Sequence, residues 1–136
     1  LDPNNSQVKN ALAELQGAQV NDLLASALED YKKKKYTTAL KKIDESLFLD
    51  KQNASSYYYK ALILEAKDDK YGAISNYREA IKHDPSMENT YYSLAVLLDK
   101  VNDKKGAKEA FQKFINLSGN KRNPYVDYAR GRIKEL

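Results

Sequence analysis

The sequence repeats itself every 34 residues, and this period limits the folds that the chain can adopt. A column of small residues keeps this spacing at Ala27, Ala61, Ala95 and Ala129. Large apolar side chains follow the same period, as at Ile43, Tyr77 and Phe111. Repeats of this length are helical or stranded units that must stack, because one unit cannot bury its apolar face alone.

Each unit is predicted to be a pair of antiparallel helices. Between residues 20 and 31 the apolar side chains recur at three- and four-residue spacing, which is typical of a helix. A second such stretch covers residues 38–49, and the short polar segment between them favours an antiparallel turn. Ala27 and Ala39 are expected where the two helices cross, because larger side chains there would push the axes apart. The same pattern returns at about residues 54–67 and 71–83, and again at about 88–101 and 104–117.

These patterns divide the chain into repeats. The predicted units are residues 20–53, 54–87 and 88–121, followed by a capping helix in residues 122–136. Residues 1–19 break the period, and their first five residues look like the closing end of a preceding repeat, so we expect further repeats before them. Ser6 is the expected N-cap of a helix over residues 6–16. We favour a separate or kinked helix here; the alternative is one helix that runs through Gly17 into the first repeat.

Composition and residue types exclude several functions. No apolar run approaches the 18 residues that a membrane-spanning helix needs. The absence of Cys excludes disulfides and Cys-based zinc sites, and a single His makes a metal site improbable. We find no phosphate-binding loop or nucleophile motif, so we expect a protein that is not an enzyme and has no cofactor. The sequence leaves cytoplasmic and bacterial periplasmic locations both open.

The charge pattern gives little evidence for nucleic-acid binding. The formal net charge of +4 is far below that of a dedicated nucleic-acid-binding protein, so nucleic acid is not the expected partner. Lysines cluster at residues 32–35, with Lys41 and Lys42 nearby. We interpret this cluster as a solvated turn and outer helix face. The alternative is a contact for an acidic protein, lipid headgroups or RNA.

The repeat closely resembles a tetratricopeptide repeat. The resemblance is carried by Tyr57, Ala61, Leu64, Ala73, Tyr77, Ala80 and Pro85, and residues 20–53 and 88–121 look like two more copies. One departure is Asp30, which stands where Leu64 and Leu98 stand in the other repeats. The resemblance implies an all-α fold, a right-handed superhelix of antiparallel helical hairpins. It leaves the partner open, because such arrays serve many unrelated proteins.

The resemblance also implies a binding groove. In this architecture the first helix of each hairpin lines the inner, concave side, and residues rotated away from the hairpin contact face the groove. The expected groove residues are Leu24, Leu28, Tyr31, Tyr58, Tyr59, Leu62, Glu65, Tyr92, Val96, Asp99 and Arg130, with Val126 beside them. For Leu28, Leu62 and Val96 the alternative is a purely structural place in the core between hairpins.

The expected partner is another protein, bound as a peptide or helix in this groove. A subclass of these arrays captures acidic chaperone tails with Lys, Asn and Arg, but the corresponding positions here hold Leu24, Leu28, Tyr59, Asn89 and Ser93. These residues supply no cation for a carboxylate, so we reject that partner. The alternative function is structural: the groove packs against its own chain or against a second copy in a homo-oligomer.

Overall fold

The computed structural model describes residues 5–119 and 121–136. Within these ranges the regular structure is entirely helical, which confirms the predicted all-α class. The helices are α1 (Ser6–Lys32), α2 (Tyr36–Leu49), α3 (Ala54–Ala66), α4 (Lys70–His83), α5 (Glu88–Lys100), α6 (Lys104–Ser118) and α7 (Pro124–Glu135). Helices α3 to α6 begin and end within two residues of the bounds expected from the sequence.

Consecutive helices pack on one another along the whole array. Helices α1 and α2, α3 and α4, and α5 and α6 form the hairpins, while α2 contacts α3, α4 contacts α5, and α6 contacts α7. The alanines of the repeat are completely buried at these contacts, namely Ala27, Ala39, Ala61, Ala73, Ala95, Ala107 and Ala129. Their small side chains allow the helix axes to approach, as the sequence predicts. The result is a helical-repeat solenoid.

The turn inside each hairpin repeats with the same period as the side chains. Lys34, Asp68 and Asn102 all have a left-handed backbone, with φ between 61° and 64°. The following N–H then bonds to a carbonyl five residues back, as in the 2.9 Å bond from Asp103 N to the Leu98 carbonyl. This closure satisfies carbonyls that a helix end would otherwise leave unpaired. Because the turn is the same three times, the hairpins have a common geometry.

A buried polar contact joins the first two hairpins. The hydroxyls of Ser46 on α2 and Ser56 on α3 are completely buried and lie 2.8 Å apart. Ser46 also lies 2.6 Å from the Ile43 carbonyl, to which it donates. Both hydroxyls thus have partners, as buried polar groups require. Around them the apolar core continues from Val20 near the middle of α1 to Ala129 on α7.

The first helix differs from the expectation. Helix α1 is continuous from Ser6 to Lys32, so the separate form of the separate or kinked helix that we favoured is wrong, and one helix runs through Gly17 into the first repeat. Its N-cap is Asn5, whose side chain accepts a 2.8 Å hydrogen bond from Gln7 N; Ser6 is the first helical residue. The proposed closing end of a preceding repeat lies mostly in residues 1–4, outside the described part of the chain.

The first hairpin explains two unusual charged residues. Asp30, which replaces a leucine of the other repeats, lies 2.6 Å from the Lys42 ammonium group. Lys42 also donates a 2.7 Å hydrogen bond to Ser26, so it links α2 to α1 at two points. The side chain of Asp30 is only 14% exposed, which makes this partner necessary. Residues 32–35 are exposed, as expected of a solvated turn, whereas Lys42 has a structural contact.

We expect Lys34→Gly to stabilise the chain by about 0.5–1 kcal/mol. A side chain at positive φ costs about 1–2 kcal/mol, and glycine removes this cost. Glycine also gives the unfolded chain more conformational entropy, but this lowers stability by less than the strain that is removed. Urea unfolding followed by circular dichroism measures the change. The control is Lys33→Gly, at φ −85°, which has no strain to release and should destabilise the chain. Equal effects of the two substitutions would contradict this account.

Candidate functional site

An open cavity of about 400 Å³ lies beside the first helices of the last two hairpins. It lies between α3, α5, the end of α6 and the start of α7. Its apolar wall is made of aromatic rings, and its polar groups are mainly amides and hydroxyls. The lining residues include Tyr58, Asn89, Tyr92, Ser93, Phe114 and Tyr125. Cavities of this size and mixture are typical binding sites for a bulky side chain or a small ligand.

Tyr92 is the centre of an aromatic cluster. Its ring centroid lies 5.1 Å from that of Phe114 and 5.2 Å from that of Tyr125. The rings of Phe111 and Tyr128 follow at 6.3 and 6.4 Å. Burial, and then the neighbouring Tyr128 and Tyr125, raise the pKa of the Tyr92 phenol. These contacts hold the wall of the cavity in place before any partner arrives.

Tyr58 connects this cavity to a neighbouring surface. Its ring lines the cavity and lies 5.8 Å from the ring of Tyr77. Tyr77 is completely buried, and its hydroxyl donates a 2.9 Å hydrogen bond to the carboxylate of Glu65. Burial raises the pKa of Tyr77 far above its usual value, and the negative charge and hydrogen bond of Glu65 raise it further. Tyr77 therefore holds the Glu65 carboxylate in one position.

Glu65 lies at a second, smaller cavity of about 190 Å³. Tyr31, Leu62 and Ala66 complete its lining. Burial raises the pKa of Tyr31, and the next contributions come from Tyr36 and from the charge of Glu65. The smaller cavity thus combines an aromatic ring, an aliphatic wall and a fixed carboxylate.

Asp99, one repeat after Glu65, is already paired. Arg132 on α7 donates from Nε and Nη2 to its two carboxylate oxygens, at 2.7 and 2.9 Å. This two-point contact raises the pKa of Arg132 and joins α7 to α5. Arg132 also contacts Glu135, at 2.6 Å. A partner would therefore find the charge of Asp99 largely neutralised.

The predicted groove residues fall into different environments. Leu24 is only 7% exposed and belongs to the core with Ala27 and Ile43. Contrary to the expectation, its surface is therefore not open to a partner. Leu62 and Val96 are half-buried and pack against the core, which gives them a structural contact while part of each remains accessible. Leu28, Tyr31, Tyr58, Tyr59 and Tyr92 are half-buried, and Arg130 is exposed.

Some lining residues were missed by the sequence interpretation. Phe114 belongs to a second helix, whereas the groove was assigned to first helices alone. Tyr125 stands 34 residues after Tyr91, which is only 8% exposed, but α7 has no partner helix in the described residues and Tyr125 is 60% exposed. The absence of a partner for the last predicted helix was the signal in the sequence that Tyr125 is open.

Solved structures with the same architecture are similar to this chain. The tetratricopeptide-repeat (TPR) domain of Sgt2 from Aspergillus fumigatus superposes with a TM-score of 0.77 and 22% identity, over 85% of this chain and 77% of that one. The TPR2B domain of yeast Sti1, in its complex with pHsp70, superposes with a TM-score of 0.78 and 18% identity, over 87% of this chain and 98% of that one. The Yersinia enterocolitica type III secretion translocator chaperone SycD superposes with a TM-score of 0.79 and 17% identity, over 93% of this chain and 96% of that one.

These similarities establish the fold. The chain is an all-α solenoid of the tetratricopeptide-repeat type, with three repeats and a C-terminal helix. No protein-family model and no curated protein sequence matches it. In residues 5–119 and 121–136, no helix is long and apolar enough to cross a bilayer. The same residues contain no cluster of three His, Asp or Glu side chains that could hold a metal ion.

The burial of the Tyr77 phenol, together with the charge and hydrogen bond of Glu65, should make the stability of the fold decline at alkaline pH. Because the pKa of Tyr77 is raised in the fold, the unfolded chain loses this proton first, near pH 10.0, and stability falls above that pH. We expect Tyr77→Phe to lower stability by about 1–2 kcal/mol at neutral pH and to weaken the alkaline decline. Urea unfolding at several pH values measures both effects.

The control for this substitution is Tyr71→Phe, because the Tyr71 ring is 75% exposed. It should change neither the neutral stability nor the alkaline decline. An alkaline decline that is the same in the Tyr77 variant and in the unmodified chain would contradict the proposed role of the buried phenol.

Proposed function

We propose that this chain is a non-catalytic protein-interaction module that binds a peptide or helix of another protein in its tyrosine-lined groove. The observation that carries the proposal is the cavity of about 400 Å³ between Tyr58, Tyr92 and Tyr125. We define the groove as this cavity together with the smaller one beside Tyr31 and Glu65. Aromatic rings that the fold already holds give a partner a large contact area at little cost in entropy.

The polar lining of the groove suits a peptide backbone. Asn89, Asn123 and Ser93 provide amide and hydroxyl groups at the larger cavity. Groups of this kind pair with backbone N–H and C=O groups, which all peptides carry. Neighbouring structures include a tetratricopeptide-repeat domain in complex with a chaperone peptide and a secretion chaperone, which supports a protein as the class of partner.

An acidic chaperone tail is not the partner that we propose. The larger cavity has no Lys or Arg in its lining, and its one charged residue is Glu88. A carboxylate brought there would lose its water without gaining a cationic donor. The rejection made from Leu24, Leu28 and Tyr59 therefore agrees with the chemistry of the lining.

Self-association is the second candidate function, and one observation favours it. Apolar side chains are exposed near both ends of the described array, with Leu12 and Leu15 at 61% and 59% and Tyr125 and Tyr128 at 60% and 46%. A second copy could cover such surfaces. Light scattering at several concentrations distinguishes the two functions, because a module with a free groove stays monomeric and a self-associating segment forms a dimer or larger species.

We expect alanine at Tyr58 or Tyr92 to weaken peptide binding by at least about tenfold, since buried aromatic anchors carry about 2 kcal/mol or more of binding energy. The probe is a peptide selected from a random displayed library on the unmodified chain, and fluorescence anisotropy measures its affinity. Tyr71→Ala is the matched control, an exposed tyrosine outside the groove, and should bind as the unmodified chain does.

Circular dichroism and thermal unfolding first establish that each variant is folded. If folded Tyr58→Ala and Tyr92→Ala variants both bind the peptide as tightly as the unmodified chain, the groove is not the binding site. If the selection yields no peptide and the chain is a stable dimer, the self-association candidate replaces the proposal.

A further inference from the structure

Two carboxylates that occupy equivalent positions in the repeat have different neighbours. Glu65 and Asp99 are 34 residues apart, and Asp99 is bound at two points by Arg132. The residue 34 positions before Arg132 is Leu98, which is 3% exposed in the core. Asp99 is therefore paired with a cation, whereas the position that corresponds to this cation for Glu65 holds an apolar residue.

The Glu65 carboxylate has no internal cation in the described part of the chain. The ion pairs found there join other residues, and none brings a Lys or Arg nitrogen within 4.0 Å of Glu65. The lysines that end α1 and α5, Lys32 and Lys100, are exposed. The hydrogen bond from Tyr77 holds the carboxylate in place but leaves its charge uncompensated.

The surroundings of Glu65 suit a long basic side chain. The smaller cavity, of about 190 Å³, offers Leu62 and Ala66 for an aliphatic stem and the ring of Tyr31 for a cationic head. Lys and Arg have this two-part character, and a cation gains from an aromatic face as well as from a carboxylate. Arg132 shows that this chain binds a carboxylate of the same column with a guanidinium group.

We propose that the partner segment is basic: a Lys or Arg enters the smaller cavity and pairs with Glu65, while a bulky apolar side chain near it in the segment fills the larger cavity. This inference rests on the proposed function. A short chain of contacts links the two cavities: Tyr58 lines the larger one, its ring lies 5.8 Å from that of Tyr77, and the Tyr77 hydroxyl bonds to Glu65 at the smaller one. We therefore expect one peptide to occupy both.

The overall charge of the chain argues for the opposite preference, which makes the proposal easy to test. With a formal net charge of +4, long-range attraction favours acidic peptides. A preference for a basic residue can therefore come only from local groups in the groove. Two groove carboxylates, Glu65 at the smaller cavity and Glu88 at the larger one, form no ion pair within the described residues, whereas the charge of Asp99 is paired. The contacts of Glu65 with Tyr77 and Tyr31 favour Glu65, and the Glu65→Gln variant distinguishes the two.

The experiment measures the affinity of matched peptides for the folded chain. Each short fluorescent peptide carries one Phe, Leu or Trp in a Gly/Ser background. A single Lys, Gln or Glu is placed, one peptide at a time, at every one of the remaining positions. Fluorescence anisotropy is recorded for the unmodified chain, for Glu65→Gln and for the control Glu45→Gln. Glu45 is an exposed carboxylate on α2, so its substitution changes the net charge equally without altering the groove.

We expect the best Lys peptide to bind the unmodified chain roughly three- to tenfold more tightly than its Gln partner, the size expected of a partly exposed charge-assisted pair. The Glu peptide should bind most weakly. This preference should disappear in Glu65→Gln and persist in Glu45→Gln. Added salt should reduce it in the unmodified chain.

The outcomes separate this inference from the proposed function. If peptides bind, and binding is lost in Tyr58→Ala and Tyr92→Ala but shows no preference for Lys, the basic-partner inference is wrong and the groove remains a binding site. A Lys preference that survives in folded Glu65→Gln overturns the assignment to Glu65. If no peptide in the series and none from the random library binds, the proposed function itself fails.

Discussion

The close approach of helices at completely buried alanines is the contact on which the rest of the structure depends. Ala61 and Ala95, with their partners Ala73 and Ala107, allow two helices to cross with little space between their backbones. Because each hairpin is closed by the same left-handed turn, this crossing recurs with the same geometry along the array. The first helices consequently present equivalent positions side by side, and the cavities form between them.

Much of this architecture could be predicted from the sequence, because it follows from local rules. The spacing of the apolar residues predicts each helix, and the columns of the 34-residue repeat predict which helices pair in a hairpin. Two features could not be predicted in this way. Gly17 costs a helix about 1 kcal/mol, which is too little to end α1 when packing favours continuation. Leu24 lies between the helix face that packs within the hairpin and the face toward the groove, and its burial depends on how neighbouring helices are rotated.

The candidate site also could be predicted only in part, because some of its contacts depend on how helices pack and not on local rules. Tyr58 and Tyr92 could be placed from the repeat, since every first helix exposes the same face. The contribution of Phe114 depends on the angle between α5 and α6, which no local pattern encodes. The pairing of Asp99 with Arg132 joins helices that are far apart in sequence, so only the folded chain reveals it. The difference between Glu65 and Asp99 follows from that pairing.

The continuity of α1 has a geometric consequence for the residues at its start. An α-helix turns by about 100° and rises about 1.5 Å with each residue. The fourteen residues from 6 to 19 are close to four whole turns, so the helix begins about 20 Å from the first repeat and faces nearly the same direction. Removing one residue from this stretch would rotate the start of the helix by more than a quarter turn, whereas removing four would nearly restore its orientation. Rotational phase, as well as length, is therefore specified by this part of the sequence.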